Sequence, residues 1–193
     1  LGARHARRVI TLSEASRREI SEDLGIDASR IDVVPLGPGA TAAGHATAET
    51  ELRARLGLGE GPIVLTSSAQ SPHKNVGALI DAMPAVQEAL PAAVLVVPGN
   101  VTEHTRGLEA RALPGSAVFP GWVSAADLEG LYRAASCFAF PSRREGFGLP
   151  VLESMSRGVP VVCADASALP EVAGDAALYF DPNRPDELAA AII

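Results

Sequence analysis

Two glutamates, Glu145 and Glu153, bracket the seven-residue string Gly146-Phe147-Gly148-Leu149-Pro150-Val151-Leu152. Glycines at 146 and 148 let backbone approach a ligand closely and adopt dihedrals closed to other residues. Pro150 suits the first turn of a helix, where a missing N–H costs little. The amides of Phe147, Gly148 and Leu149 are therefore expected to stand free at a helix N-terminus, an arrangement that suits an anion such as a diphosphate. Glu153, expected in the first turn of that helix, can accept two hydrogen bonds from a vicinal diol of the ribose kind. Glu145 precedes the helix, on the other side of the expected phosphate, and can accept from sugar hydroxyls. Two carboxylates flanking a phosphate nest fit a sugar–diphosphate–nucleoside better than a simple phosphate. The same string also has a plainer meaning: a glycine turn, a proline-started helix and a glutamate complementing the helix dipole, with no ligand at all.

A second group lies in Ser71-Pro72-His73-Lys74-Asn75, after the apolar run Ile63–Thr66. Lys74 is the only lysine among 16 basic residues. Standing just before a helix that starts near Val76, it can reach a diphosphate as a compact point charge, although a solvated loop lysine would read the same way. In Gly121-Trp122-Val123 the indole of Trp122 could stack on a base, but packing beside the loop is the commoner use of such a residue.

The elements that must hold these residues alternate. Apolar runs at Val9–Leu12, Ile31–Pro35, Ile63–Thr66, Val94–Val97, Ala117–Phe119, Cys137–Phe140, Pro160–Cys163 and Ala177–Phe180 read as strands. Helical patterns cover Glu14–Leu24 (with Ser13 as N-cap), Glu49–Leu56, Val76–Leu90, Glu103–Leu113, Ala125–Ala135, Pro150–Arg157 and Pro185–Ile193. Pro84 should kink the third of these. The strands are solidly apolar rather than alternating, so helices must cover both faces. That pattern implies an α/β fold with a doubly wound parallel sheet, whose ligand sits beyond the carboxyl ends of the strands. The small-residue stretch 37–44 is the best linker candidate.

The chain has 193 residues and 47% hydrophobic residues, enough for one domain and an appendage. Net charge is -7, and residues 41–193 carry the excess of acids, which argues against nucleic acid as a partner. Arg4, Arg7, Arg8, Arg17 and Arg18 could approach an anionic membrane surface, though Glu14 and Glu19 dilute them and a solvated face is the commoner explanation. No apolar run is long enough for a spanning helix, and no signal-peptide core is present. Cys137 and Cys163 lie in apolar runs without metal-ligand spacing and read as buried thiols of a reducing cytoplasm. The chain starts without Met and has the look of an excised piece.

Glu145 and Glu153 with Gly-Phe-Gly-Leu-Pro between them resemble the paired-glutamate motif of the family 4 retaining glycosyltransferases, in which Pro-Ser, a spacer, Glu-Gly-Phe-Gly-Leu and a helical Glu follow one another. Lys74-Asn75 is similar to the Lys-Asn or Lys-Gly pair of that family. Its frequent arginine about five positions earlier is Ala69 here, and His73 could substitute. The stretches 8–13, 33–37 and 168–177 resemble the end of the family's first domain, its hinge, and a late loop and strand.

The resemblance implies the C-terminal half of a GT-B enzyme. Residues 1–40 would be the remnant and hinge of an acceptor-side domain whose body lies before Leu1, and 41–193 the donor domain, lacking its final helix. Such a piece is expected to be inactive alone. The implied reaction needs no metal and no cofactor; there is no Asp-x-Asp pair, and the nucleotide-diphosphate sugar is a substrate. By the same resemblance Lys74 holds the phosphates, Glu145 orients the transferred sugar, Glu153 holds the ribose, and backbone at Val123 meets the base. The acceptor would be a sugar, a lipid-linked glycan or another hydroxyl. The Pro-His-Lys-Asn loop is reminiscent of mannosyltransferase-like members. A nucleotide-sugar-binding module completed by a separate chain remains an alternative. An epimerase or dehydrogenase would need Gly-x-Gly-x-x-Gly after an early strand, and none follows Val9–Leu12 or Ile63–Leu65.

Overall fold

The computed structural model describes residues 2–39, 45–67 and 71–193. In chain order the elements are α1 (Gly2–His5), β1 (Val9–Thr11), α2 (Glu14–Leu24), β2 (Ile31–Val33), α3 (Glu49–Leu56), β3 (Ile63–Leu65), α4 (Val76–Ala89), β4 (Val94–Pro98), α5 (Glu103–Arg111), β5 (Ala117–Gly121), α6 (Ala125–Ala134), β6 (Cys137–Phe140), α7 (Leu149–Met155), β7 (Val161–Ala164), α8 (Leu169–Ala173), β8 (Ala177–Phe180) and α9 (Pro185–Ile192). Short 3-10 turns cover Ala28–Arg30, Pro72–Lys74 and Gly174–Ala176. The expected linker falls partly on 40–44, and Ala69 lies in 68–70; both segments are outside the described residues.

Six strands form one all-parallel sheet in the order β5-β4-β3-β6-β7-β8. Its β3, β4, β6 and β7 are buried along their whole length, as a sheet covered on both faces requires. The chain winds outward from β3 to β5, then returns to β6 beside β3 and winds the other way. Val64 pairs with Cys137 and Leu65 with Phe138, so the reversal lies between β3 and β6. A crevice opens at such a reversal because the loops leaving the two central strands diverge. The doubly wound α/β fold read from the sequence is the one observed. β1 and β2 form a separate two-stranded parallel sheet with α2 as its crossover, and Ile10 on it is 70% exposed.

Local chemistry explains the boundaries. Ser13 caps α2 by accepting the Ser16 amide, and Gly25 ends that helix with φ +62°. α5 stops at Arg111, short of the expected Leu113, because Leu113 precedes Pro114 and the residue before a proline disfavours helical dihedrals. Pro84 lies on the exposed face of α4, which continues through it as one helix; the residue expected to kink α4 does not interrupt it. The sequence offers no warning of α1 or α8, which span only four and five residues. Both cysteines are buried, and desolvation pushes the Cys137 thiol up to about 11 and Cys163 up to about 12.

Candidate functional site

Asn75 sets the direction of Lys74. It adopts φ +55°, a left-handed conformation that suits Gly and Asn, between the Pro72–Lys74 turn and α4. Its Nδ2 donates to the carbonyls of Pro141 (3.2 Å) and Pro182 (2.8 Å). The Arg143 amide donates to the His73 carbonyl at 2.9 Å. The loop leaving β3 is thereby tied to the loop leaving β6. The Lys-Asn pairing has a conformational signature, since the residue after the lysine must sit where glycine does.

Lys74 Nζ stands 2.6 Å from Glu145 Oε1, with the two side chains 20% and 11% exposed. The ammonium also lies 5.5 Å from the centroid of the Phe140 ring. Two residues 71 positions apart in the chain thus meet over the crevice between β3 and β6. Lysine and glutamate form one polar centre rather than two separate contacts.

The loop from Glu145 to α7 is held on every side. The Glu145 amide donates to Ser167 Oγ (3.2 Å), and that hydroxyl donates to the Glu145 carbonyl (2.8 Å). Ser13 Oγ and Ser16 Oγ donate to the Gly146 carbonyl at 2.8 and 3.1 Å. Phe147 is buried. Gly148 has φ +99°, and a Cβ there would come within 2.7 Å of Leu169 Cδ2. Among the described residues the amides of Phe147, Gly148 and Leu149 find no acceptor. α7 spans only seven residues, so its N-terminus offers individual N–H groups rather than a long macrodipole.

Glu153 requires a correction. α7 begins at Leu149, which puts Glu153 in the second turn, and the first turn holds no acid. The helix starts one residue earlier than expected because Gly148 takes the capping position ahead of it. The Glu153 carboxylate lies against Gly39, where a Cβ would stand 2.8 Å from its Oε1. Beneath it is a network that composition alone does not reveal. Glu129, buried, accepts from Arg157 Nε at 2.8 Å and Arg133 Nε at 3.1 Å, while Arg157 lies 4.7 Å from the Tyr132 ring centroid and donates to the Glu153 carbonyl. Burial and the Glu153 charge push the Tyr132 hydroxyl up to about 12.

Val123 follows β5 and lines a cavity of about 340 Å³ with Ser67, Pro98, Gly99, Trp122, Ser124, Ala125 and Leu128. Trp122 is 79% exposed on its rim. Packing, the commoner use of such an indole, is not what it does here: the turn at Gly121 (φ +75°) carries it away from the core. Ser167 and Asn75 matter to the geometry more than their types suggest. Asn75 is traceable to its left-handed turn; Ser167 leaves no pattern a sequence reader could use.

Residues 48–193 match the family described as glycosyl transferases group 1. The chain belongs to that family, as a domain of GT-B type. Over 198 aligned residues it is 34% identical to the O-antigen chain mannosyltransferase B of Escherichia coli, covering 97% of this chain and 51% of that protein. It is 29% identical to an MMP alpha-(1->4)-mannosyltransferase of Mycolicibacterium hassiacum, covering 98% of this chain and 45% of that one. Among solved structures, Anabaena HepE in complex with UDP and glucose superposes with a TM-score of 0.83 at 25% identity, covering 98% of this chain and 54% of that one. The chain spans about half the length of these relatives.

Proposed function

We propose that this chain is the donor-binding half of a retaining, metal-independent glycosyltransferase that moves a hexosyl group, mannosyl by preference, from a nucleotide-diphosphate sugar to a hydroxyl of a sugar, a lipid-linked glycan or another acceptor. The observation that carries the reading is the Lys74–Glu145 pair, 2.6 Å apart over the β3/β6 crevice, with Glu145 directly before the loop whose Phe147, Gly148 and Leu149 amides find no acceptor among the described residues. A cation and a carboxylate at one point match the two ends of a phosphate–sugar linkage: the ammonium suits the phosphate oxygens and the carboxylate suits the sugar hydroxyls. Glu153 takes the ribose diol, and the cavity at Val123 takes the base. The mannosyl preference rests on the mannosyltransferase relatives, and a UDP-bearing neighbour supports a nucleoside diphosphate. In this reading residues 1–40 belong to the acceptor side and hinge, and 41–193 to the donor domain.

The chemistry follows from charge. Breaking the bond between the anomeric carbon and the phosphate oxygen places negative charge on the departing diphosphate. Lys74 and the loop amides bind that charge more strongly as it develops in the transition state than in the intact donor, which lowers the barrier. The acceptor hydroxyl is the nucleophile: its oxygen bonds the anomeric carbon as the bond to phosphate breaks, its proton passes to the departing diphosphate oxygen, and the anomeric configuration is kept.

Calorimetry of the chain with UDP-, GDP- and TDP-sugars tests the reading. One class should bind, and Lys74→Ala should weaken it at least ~10-fold, since a charge-assisted contact contributes about 1.5–3 kcal/mol. Glu153→Ala should weaken the nucleoside diphosphate itself. Unchanged affinity in both variants removes the assignment.

A further inference from the structure

The turn between β7 and α8 carries no residue that the sequence marks as a site, yet it holds the loop that runs from Glu145 to α7. Ser167 lies in it with φ +55°, a left-handed conformation uncommon for serine. There its single hydroxyl both accepts from the Glu145 amide and donates to the Glu145 carbonyl. The two peptide planes flanking the Glu145 Cα are thus held by one atom, and those planes set the direction of the Cα–Cβ bond. Two residues on, Leu169 lies where a side chain at position 148 would be, so the same turn also shapes the glycine of the loop. A hydroxyl that gripped only one of these groups would leave the Glu145 side chain free to swing about the other.

We infer that Ser167 is a positioning residue: through its paired hydrogen bonds to the Glu145 backbone it aims the carboxylate at the transferred sugar and so sets discrimination between a nucleotide sugar and the bare nucleotide. The inference rests on the proposed role of Glu145 and adds to it the group that makes that role geometrically possible. Misdirection by a fraction of an ångström weakens an oriented hydrogen bond while leaving a diffuse charge contact to phosphate nearly unchanged. Loss of Ser167 should therefore be felt by the sugar and not by the diphosphate.

The test measures affinities of the chain for GDP-mannose against GDP and for UDP-glucose against UDP, by calorimetry, in three forms. Wild type sets the ratio of sugar-bearing to bare nucleotide affinity. Ser167→Gly, which tolerates the left-handed backbone, should fold as well as wild type and lose that ratio by about five-fold or more, with bare nucleotide affinity within about two-fold. Ser167→Thr keeps the hydroxyl but strains the backbone; it should melt lower and keep the ratio. Stability and discrimination then change in opposite order, which a merely structural role cannot produce. If Ser167→Gly keeps the wild-type ratio, or weakens both ligands equally, the inference is overturned while the Glu145 reading stands. If Glu145→Gln also leaves the ratio unchanged, or wild type binds no nucleotide sugar, that reading and the inference fall together. Should Ser167→Thr not fold, the glycine variant alone decides.

Discussion

At the scale of single residues, the site turns on one ion pair. Lys74 and Glu145 neutralise each other at 2.6 Å, so any phosphate that reaches Lys74 must also approach the Glu145 carboxylate. The repulsion gives Glu145→Gln an unusual expectation. Bare nucleoside diphosphate should bind as well as or a few-fold better than in wild type, while the added affinity from the sugar is lost. Titration calorimetry with the matched pair of ligands reads both effects, and a parallel loss of both would refute separate roles. The pair was only half legible in the sequence. Each member stands out by type and neighbours, but a separation of 71 positions conceals that they touch. Glu153 is visible in the sequence as a helical acid, but the turn it occupies depends on the start of α7, which Gly148 sets at φ +99°.

Among elements, the junction of α3 and α6 is the best place to test packing. Gly130 in α6 faces the Thr47 carbonyl so closely that a Cβ would stand 2.4 Å from it and 2.7 Å from Leu52 Cδ1. Leu52 is fully buried and the Thr47 carbonyl is backbone, so neither yields cheaply. Gly130→Ala should destabilise the chain by about 1–3 kcal/mol despite better helix propensity, seen as a lower urea midpoint at constant m. The same junction carries a pH signature. Thr47 Oγ1 and Arg55 hold the Asp127 carboxyl down to about 2. A carboxyl lowered in the folded state contributes stability above its unfolded value of about 4 and loses it as pH falls through about 2. Thermal melts between about pH 5 and pH 2 should flatten in Asp127→Asn over that window. Strands and long helices were readable here because burial on both faces and terminal caps leave marks in composition: Cys137–Phe140 and Glu14–Leu24 came out residue for residue. α8 did not, because five residues around a proline carry no period.

For the whole molecule, the question is how the β1–α2–β2 unit is joined to the large sheet. Glu171 of α8 accepts from the amides of Glu14 (2.9 Å) and Ala15 (3.2 Å), so a carboxylate from one unit caps a helix of the other. Ser13 and Ser16 at the same helix end donate to the Gly146 carbonyl in the loop before α7. Arg144 adds an exposed pair with Glu19, of little energetic weight. Glu171→Ala should loosen α2, with faster hydrogen exchange at the amides of Glu14 and Ala15 and unchanged protection in β3, β4 and β6. Equal protection at all these sites would mean that the contact holds nothing.

The sequence by itself determined the layer architecture and the inventory of the site. Solid apolar strands between helical stretches admit few alternatives to a covered parallel sheet, and the glutamates, glycines and lone lysine advertise their chemistry by type. Tertiary structure alone decided which of those residues meet and how they are aimed. Lys74 reaches Glu145 because the strand order reverses between β3 and β6, and Glu145 is gripped by a serine 22 positions later. Such contacts arise from chain crossings and left-handed turns, which depend on the whole fold and leave no periodic trace in the residues that make them.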